Sequence, residues 1–205
     1  MKTSARIAII GGILAASAAP LSAQLAYFGI RGGAGVPNGT FSDPYQASAT
    51  DGVIRGAKPG TGYGLDAGVG LGPLGFYAGY DHIDFDCATA ACSASGKYKL
   101  EGVSAGLRLG VPLIPIVKPW VKAGVTFNEI NGTSTGTNAT KISTGRTPGY
   151  EFGAGIDIPI LVLFSITPQV RYVGQMLDLK GIYSGEKTNV SYYTFDIGLR
   201  ARTPF

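Results

Sequence analysis

Few groups in this chain have a type and spacing that could do chemistry. The single histidine, His82, could serve as a general base, but nucleophilic catalysis needs a nucleophile beside its base. His82-Ile83-Asp84 lacks a serine two places on. Cys87 and Cys92 form a C-x4-C pair. Zinc would need two further ligands, and one histidine does not supply them. Gly70-Leu71-Gly72-Pro73-Leu74-Gly75 spells G-x-G-x-x-G. That motif cradles a dinucleotide only where a helix starts after the glycines; an alternating segment follows here, so the stretch reads as a hairpin turn. No catalytic set, metal or cofactor is expected. The net charge of +4 comes without a Lys/Arg cluster, so nucleic acid is not an expected partner.

The remaining chemistry lies in charge. Arg31, Arg108, Lys122, Arg171 and Arg200 stand against Asp66, Asp81, Glu151, Asp157 and Asp196, each on the polar side of an alternating segment. Five cations matched by five carboxylates imply pairing across a shared interior, because an unpaired charge away from water costs several kcal/mol. Such an interior is either a gated ion path or a polar plug. A barrel of eight strands is only wide enough for its own side chains, so the plug is the expectation and a narrow passive channel the alternative.

The elements that must position these charges are strands. From Gln24 onward eight segments alternate apolar and polar residues with the period of two of a two-faced strand. They are 26–36, 62–71, 75–82, 102–111, 118–128, 149–158, 164–172 and 191–205. In 102–111, for example, Val103, Ala105, Leu107, Leu109 and Val111 face one way, and Gly102, Ser104, Gly106, Arg108 and Gly110 the other. Short apolar turns follow the second, fourth and sixth segments, at Gly72-Pro73-Leu74, 112–116 and 159–161. Long polar loops follow the others, at 37–60, 84–97, 129–148 and 174–189. Alternating short turns and long loops, with strands of about ten residues, are the pattern of a transmembrane barrel. Pro119 and Pro168 fall inside strands, where a missing N–H interrupts a ladder; a local bulge is expected at each.

Composition fits this frame. Glycine makes up 32 of 205 residues, about twice the usual share, and charged residues only 15%. The mean hydropathy is +0.19, yet no apolar run reaches the ~18 residues of a membrane helix. Hydrophobicity is therefore spread over alternate residues. Residues 1–23 read as a secretory signal peptide, with Lys2 and Arg6 ahead of an apolar core from Ile7 to Ala19 and a cleavage site after Ala23. Residues 24–205 form the barrel domain. Export places Cys87 and Cys92 in an oxidising compartment, where a disulfide is the expected state.

The last segment, SYYTFDIGLRARTPF, resembles the C-terminal strand of bacterial outer-membrane β-barrels: a polar-x-Gly pattern at Asp196-Ile197-Gly198 and a terminal Phe205. Thr203 stands where the family usually has an aromatic. Over the whole mature chain, with fragments such as Gly149-Tyr150-Glu151-Phe152-Gly153-Ala154-Gly155, the sequence resembles the eight-stranded opacity-protein and outer-membrane-protein-A type of barrel. The resemblance implies an all-β, antiparallel, up-and-down transmembrane barrel with four long extracellular loops and three short periplasmic turns. It implies residence in the outer membrane of a Gram-negative bacterium, among lipid and lipopolysaccharide, as a monomer. The barrel-assembly machinery would be a partner during biogenesis, reading Asp196, Gly198 and Phe205. The loops would present a surface to some unidentified ligand. The chain ends on the eighth strand, so no peptidoglycan-binding domain is expected after it.

Overall fold

The computed structural model describes residues 24–43, 54–87, 96–111, 117–133, 141–180 and 187–204. Their alternation becomes nine strands: β1 Gln24–Asn38, β2 Ala57–Leu71, β3 Leu74–Cys87, β4 Lys97–Gly110, β5 Lys118–Thr133, β6 Lys141–Ser143, β7 Thr147–Pro159, β8 Phe164–Asp178 and β9 Lys187–Pro204. Every pairing is antiparallel between neighbours, and β9 returns to pair with β1, closing the ring β1-β2-β3-β4-β5-β7-β8-β9. β6 pairs with the outer end of β5 on the edge that β7 takes further down, and Ser143 to Gly145 bond to the segment at the end of β8, so it continues the place of β7 in the wall. Closure satisfies the backbone without a free edge, as a span through hydrocarbon requires. One tight turn shows how the chain reverses: Gly72, at φ +65°, opens the two-residue loop between β2 and β3. A positive φ at the first loop residue is glycine's conformation in a hairpin of this kind.

The outer wall carries a band of exposed apolar side chains. Phe28, Ile30, Leu65, Val69, Phe76, Val103, Leu107, Val121, Val125, Phe152, Phe195 and Leu199 all belong to it. Their in-between neighbours point to the lumen, among them Arg31, Lys122, Glu151 and Arg171, all buried. The inside-out distribution is that of a barrel in lipid.

The strands run further outward than the alternation of polarity indicates. β3 continues to Cys87, β4 begins at Lys97, β5 reaches Thr133, β8 reaches Asp178 and β9 begins at Lys187. Segments expected to belong to the loops are therefore strand. The cause is a change of sign at constant period. On β3 the inward residues pass from Asp81 to Ile83 and Phe85, while the outward ones pass from Phe76 and Tyr80 to His82 and Asp84. On β4, Tyr98 and Leu100 face in and Lys97 and Lys99 face out. Above the apolar band the barrel becomes an ordinary water-facing one, greasy inside and charged outside.

Two irregularities interrupt the wall. Pairing between β2 and β3 shifts by one residue between Lys58 and Thr61, around Pro59 and Gly60, a bulge. Between β7 and β8 the register is the same on either side, Gly155 opposite Gln169 and Ile158 opposite Ile166, but the two pairs between them are missing. Pro168, which has no N–H to give, lies in that gap. The bulge expected at Pro168 is thus a break in the ladder without a shift, and Pro119 sits in register opposite Ile156.

Candidate functional site

The inward faces of the eight strands bring all ten alternating charges into one connected network, built as two clusters. Arg171, on β8, is the centre of the first. Its guanidinium holds Asp81 of β3 with both terminal nitrogens, each at 2.8 Å, the paired geometry that makes arginine–carboxylate contacts strong. The same side chain donates to Glu151 of β7 at 3.3 Å and, through Nε, to Asp196 at 3.2 Å and Thr194 at 3.0 Å on β9. Arg31 of β1 donates to Asp81 at 2.8 Å. Lys122 of β5 reaches Glu151 at 3.3 Å and lies 4.4 Å from the centre of the Tyr77 ring, while the Tyr77 hydroxyl donates to Glu151 at 2.5 Å. Three cations thus meet three carboxylates, with side chains from six strands.

Asp157 of β7 organises the second cluster, nearer the short turns. It accepts from Arg108 at 2.7 Å, Arg200 at 2.6 Å, Arg202, the Trp120 indole at 3.1 Å and the Thr167 hydroxyl at 3.2 Å. Arg200 also donates to Asp66 at 3.1 Å, and Asp66 lies 4.0 Å from Arg31, joining the clusters. Arg108 and Arg200 stack against Tyr27 and Trp120, at 4.4–5.6 Å from the ring centres. Here three arginines face two carboxylates, and the aromatic faces receive part of the excess positive charge.

Glycine makes this density possible. A Cβ at Gly64 would meet the Arg31 guanidinium, and one at Gly68 would meet the Tyr27 ring. The β2 wall is therefore thinned where the largest side chains cross the interior.

Outward of the charges lies a layer that sequence reasoning missed. Phe41, Ile54, Ile83, Phe85, Tyr98, Leu100, Ile130, Leu177, Val190 and Tyr192 pack into a single buried apolar cluster inside the barrel mouth. Phe41 enters from the 3-10 turn Gly39–Phe41 that follows β1 and meets Phe85 edge-on at 5.1 Å. Phe85 in turn meets Tyr192 at 5.5 Å. The Tyr98 hydroxyl donates to the Arg55 carbonyl at 3.1 Å, tying the segment before β2 to β4. The sequence signal was present as continued alternation at Ile83 and Phe85, masked by the change of polarity.

Other residues named from sequence take no part in this network. His82 faces outward at the rim of the apolar band, between Glu101 at 3.1 Å and Asp84 at 3.4 Å, and stacks on Tyr63. Gly198 faces the lumen on β9, opposite Arg31. Cys87 is the last residue of β3. Cys92, Phe205 and the leader lie outside the described residues.

Residues 8–202 match the family model of the outer membrane protein beta-barrel domain. Among solved structures, the chain is similar to Neisserial surface protein A, at 15% identity and a TM-score of 0.58, over 90% of this chain and 98% of that one. OprG from Pseudomonas aeruginosa is similar at 15% identity and a TM-score of 0.56, over 90% and 99%. A major outer membrane protein from Thermus thermophilus is similar at 16% and 0.53, over 87% and 99%. At these identities the likeness is one of fold. No curated protein matches the chain.

Proposed function

Given that this chain belongs to the outer membrane protein β-barrel domain family and resides in the lipid and lipopolysaccharide of the bacterial outer membrane, we propose that it is a closed, non-enzymatic barrel whose work is structural and surface-presenting. The observation that carries this reading is the double filling of the lumen. An ion-pair network spans the membrane-level interior, and an apolar layer fills the mouth outward of it. An ion crossing the charged layer would have to break contacts that hold buried charges, and the apolar side chains clustered in the mouth among the described residues offer it little compensation. The strands project beyond the apolar band as a rigid collar, and the connections between them are what such a barrel offers to the outside.

Biogenesis follows in the same proposal. A leader ending at Ala23 directs export, Asp196, Gly198 and Phe205 form the assembly signal, and a Cys87–Cys92 disulfide staples the connection after β3. The working unit is a monomer. Efflux of small solutes from liposomes tests the central part: protein refolded into the vesicles should retain sucrose and small ions as protein-free vesicles do. Efflux that scales with protein content would replace the plug with the narrow passive channel.

A further inference from the structure

The two ends of the barrel meet their surroundings differently. At the outer end the strands exchange polarity on leaving lipid, so that His82, Asp84, Lys97 and Lys99 face out. At the short-turn end between β7 and β8 no such exchange occurs. Ile158-Pro159-Ile160-Leu161-Val162-Leu163-Phe164 has neither a polar side chain nor an alternation. The side chains of the turn are exposed, Val162 almost wholly at 99%. Its backbone, by contrast, closes on itself. The Ile160 and Leu161 N–H groups donate to the Phe164 carbonyl at 3.0 and 3.3 Å, and the Phe164 N–H donates to the Leu161 carbonyl at 3.3 Å. The Arg202 N–H of β9 donates to the Leu163 carbonyl at 2.8 Å, while the Arg202 side chain turns inward to Asp157.

We propose that the turn at Ile160 to Leu163 is immersed in the acyl chains of the periplasmic leaflet and anchors the barrel there, rather than standing in periplasmic water. Short turns mark the periplasmic end of such barrels, and depth puts this one in lipid. Tyr172 meets Tyr150 and Tyr193 on the outer wall, with ring centres 6.2 and 5.0 Å apart, and aromatic girdles bound the apolar band. From Tyr172 to Phe164, β8 covers about 26 Å of strand, or about 20 Å of depth at a tilt of about 40°. The band is about 25 Å tall, which leaves about 5 Å of hydrocarbon below Phe164 for the turn. The turn also continues the lipid-facing wall through Phe164 and Ile166, both exposed on β8. A chain entering hydrocarbon must satisfy its own backbone groups, and the bonds at both ends of this turn do so. Exposed apolar side chains gathered in one place mark a membrane or protein contact. A periplasmic protein could cover the same side chains, but it would leave the match to the band's depth without a cause. The anchor does not depend on the lumen being filled.

Single cysteines carrying an NBD fluorophore test the anchor in the whole barrel, refolded into phosphatidylcholine nanodiscs whose two faces both meet solvent. Val162→Cys is compared with Leu107→Cys, in mid-band, and Lys99→Cys, exposed above it. The unsubstituted protein, treated alike, supplies the background. Iodide quenches from water and dibrominated acyl chains quench from lipid. The label at Val162 should be quenched by the brominated lipid nearly as strongly as the label at Leu107, and be shielded from iodide several-fold relative to Lys99. Leu161→Asp, added to Val162→Cys, should return iodide quenching toward the Lys99 level, because it sets a charge beside the label. Heat-dependent gel mobility confirms that each variant is folded. Should Leu161→Asp fail that check, Leu161→Ser takes its place. Iodide quenching at Val162 equal to that at Lys99 would overturn the assignment and leave the turn as a docking surface for a periplasmic protein. Shielding that persists beside the polar substitution would also overturn it, since the fluorophore, and not the turn's own side chains, would then hold the segment in lipid.

Discussion

Arg171→Met is the sharpest perturbation of the lumen. The substitution keeps an unbranched stem of similar reach and removes only the guanidinium. Arg171 is 2% exposed and donates to Asp81, Glu151, Asp196 and Thr194. After its removal Asp81 keeps Arg31, Glu151 keeps Lys122 and Tyr77, and Asp196 keeps Gln169 and Thr194. Three buried carboxylates then share two cations. Removing one partner of a buried ion pair costs about 3–5 kcal/mol, and the contacts that survive hold the expected loss inside that range. Arg200→Met removes a guanidinium that is also buried, yet Asp157 retains Arg108, Arg202, Trp120 and Thr167, and the less buried Asp66 keeps Arg31 at 4.0 Å. Each lost hydrogen bond to a charge is worth about 1.5–3 kcal/mol, and relief among three clustered arginines offsets part of that. Arg200→Met should therefore cost less than Arg171→Met. Urea titration of the refolded barrel in detergent micelles, followed by Trp120 fluorescence, measures both. A loss below about 1 kcal/mol for Arg171→Met would refute a lumen held by this network, and a larger loss for Arg200→Met would refute the account of the two clusters.

Other substitutions examine other layers. Leu107 is exposed in mid-band on β4, and Leu107→Arg should cost about 2–4 kcal/mol on refolding into liposomes, as for a cation at the bilayer midplane; a cost near zero would put that face elsewhere. Phe85→Ala should cost about 3–5 kcal/mol by the same urea titration, because it empties the centre of the apolar layer; a cost under about 1 kcal/mol would mean the layer is loosely packed. Deleting Phe205 should leave refolding in detergent unchanged while outer-membrane abundance in cells falls sharply; normal abundance would remove it from the assembly signal.

The wall of this barrel was legible because lipid on one side and charge on the other enforce an alternation that sequence shows directly, as at Val103 to Val111. The partners of the network were also within reach. Arg202, Tyr77, Trp120 and Thr167 lie on the polar face by the same alternation, but counting charges alone passes over aromatic and hydroxyl donors. The outer ends of the strands were not legible. At His82-Ile83 and Lys99-Leu100 the chain leaves lipid for water, both faces exchange polarity, and the strand then looks like a loop. Pro168 was visible as a misfit, but a proline gives no sign of whether the ladder shifts or simply opens.

Single-channel recording in planar bilayers tests the central claim most directly. The refolded protein should give no steady openings across the accessible voltage range, with the network and the apolar layer both in place. Reproducible unitary steps that survive in many independent insertions would contradict a filled lumen and make the protein a channel.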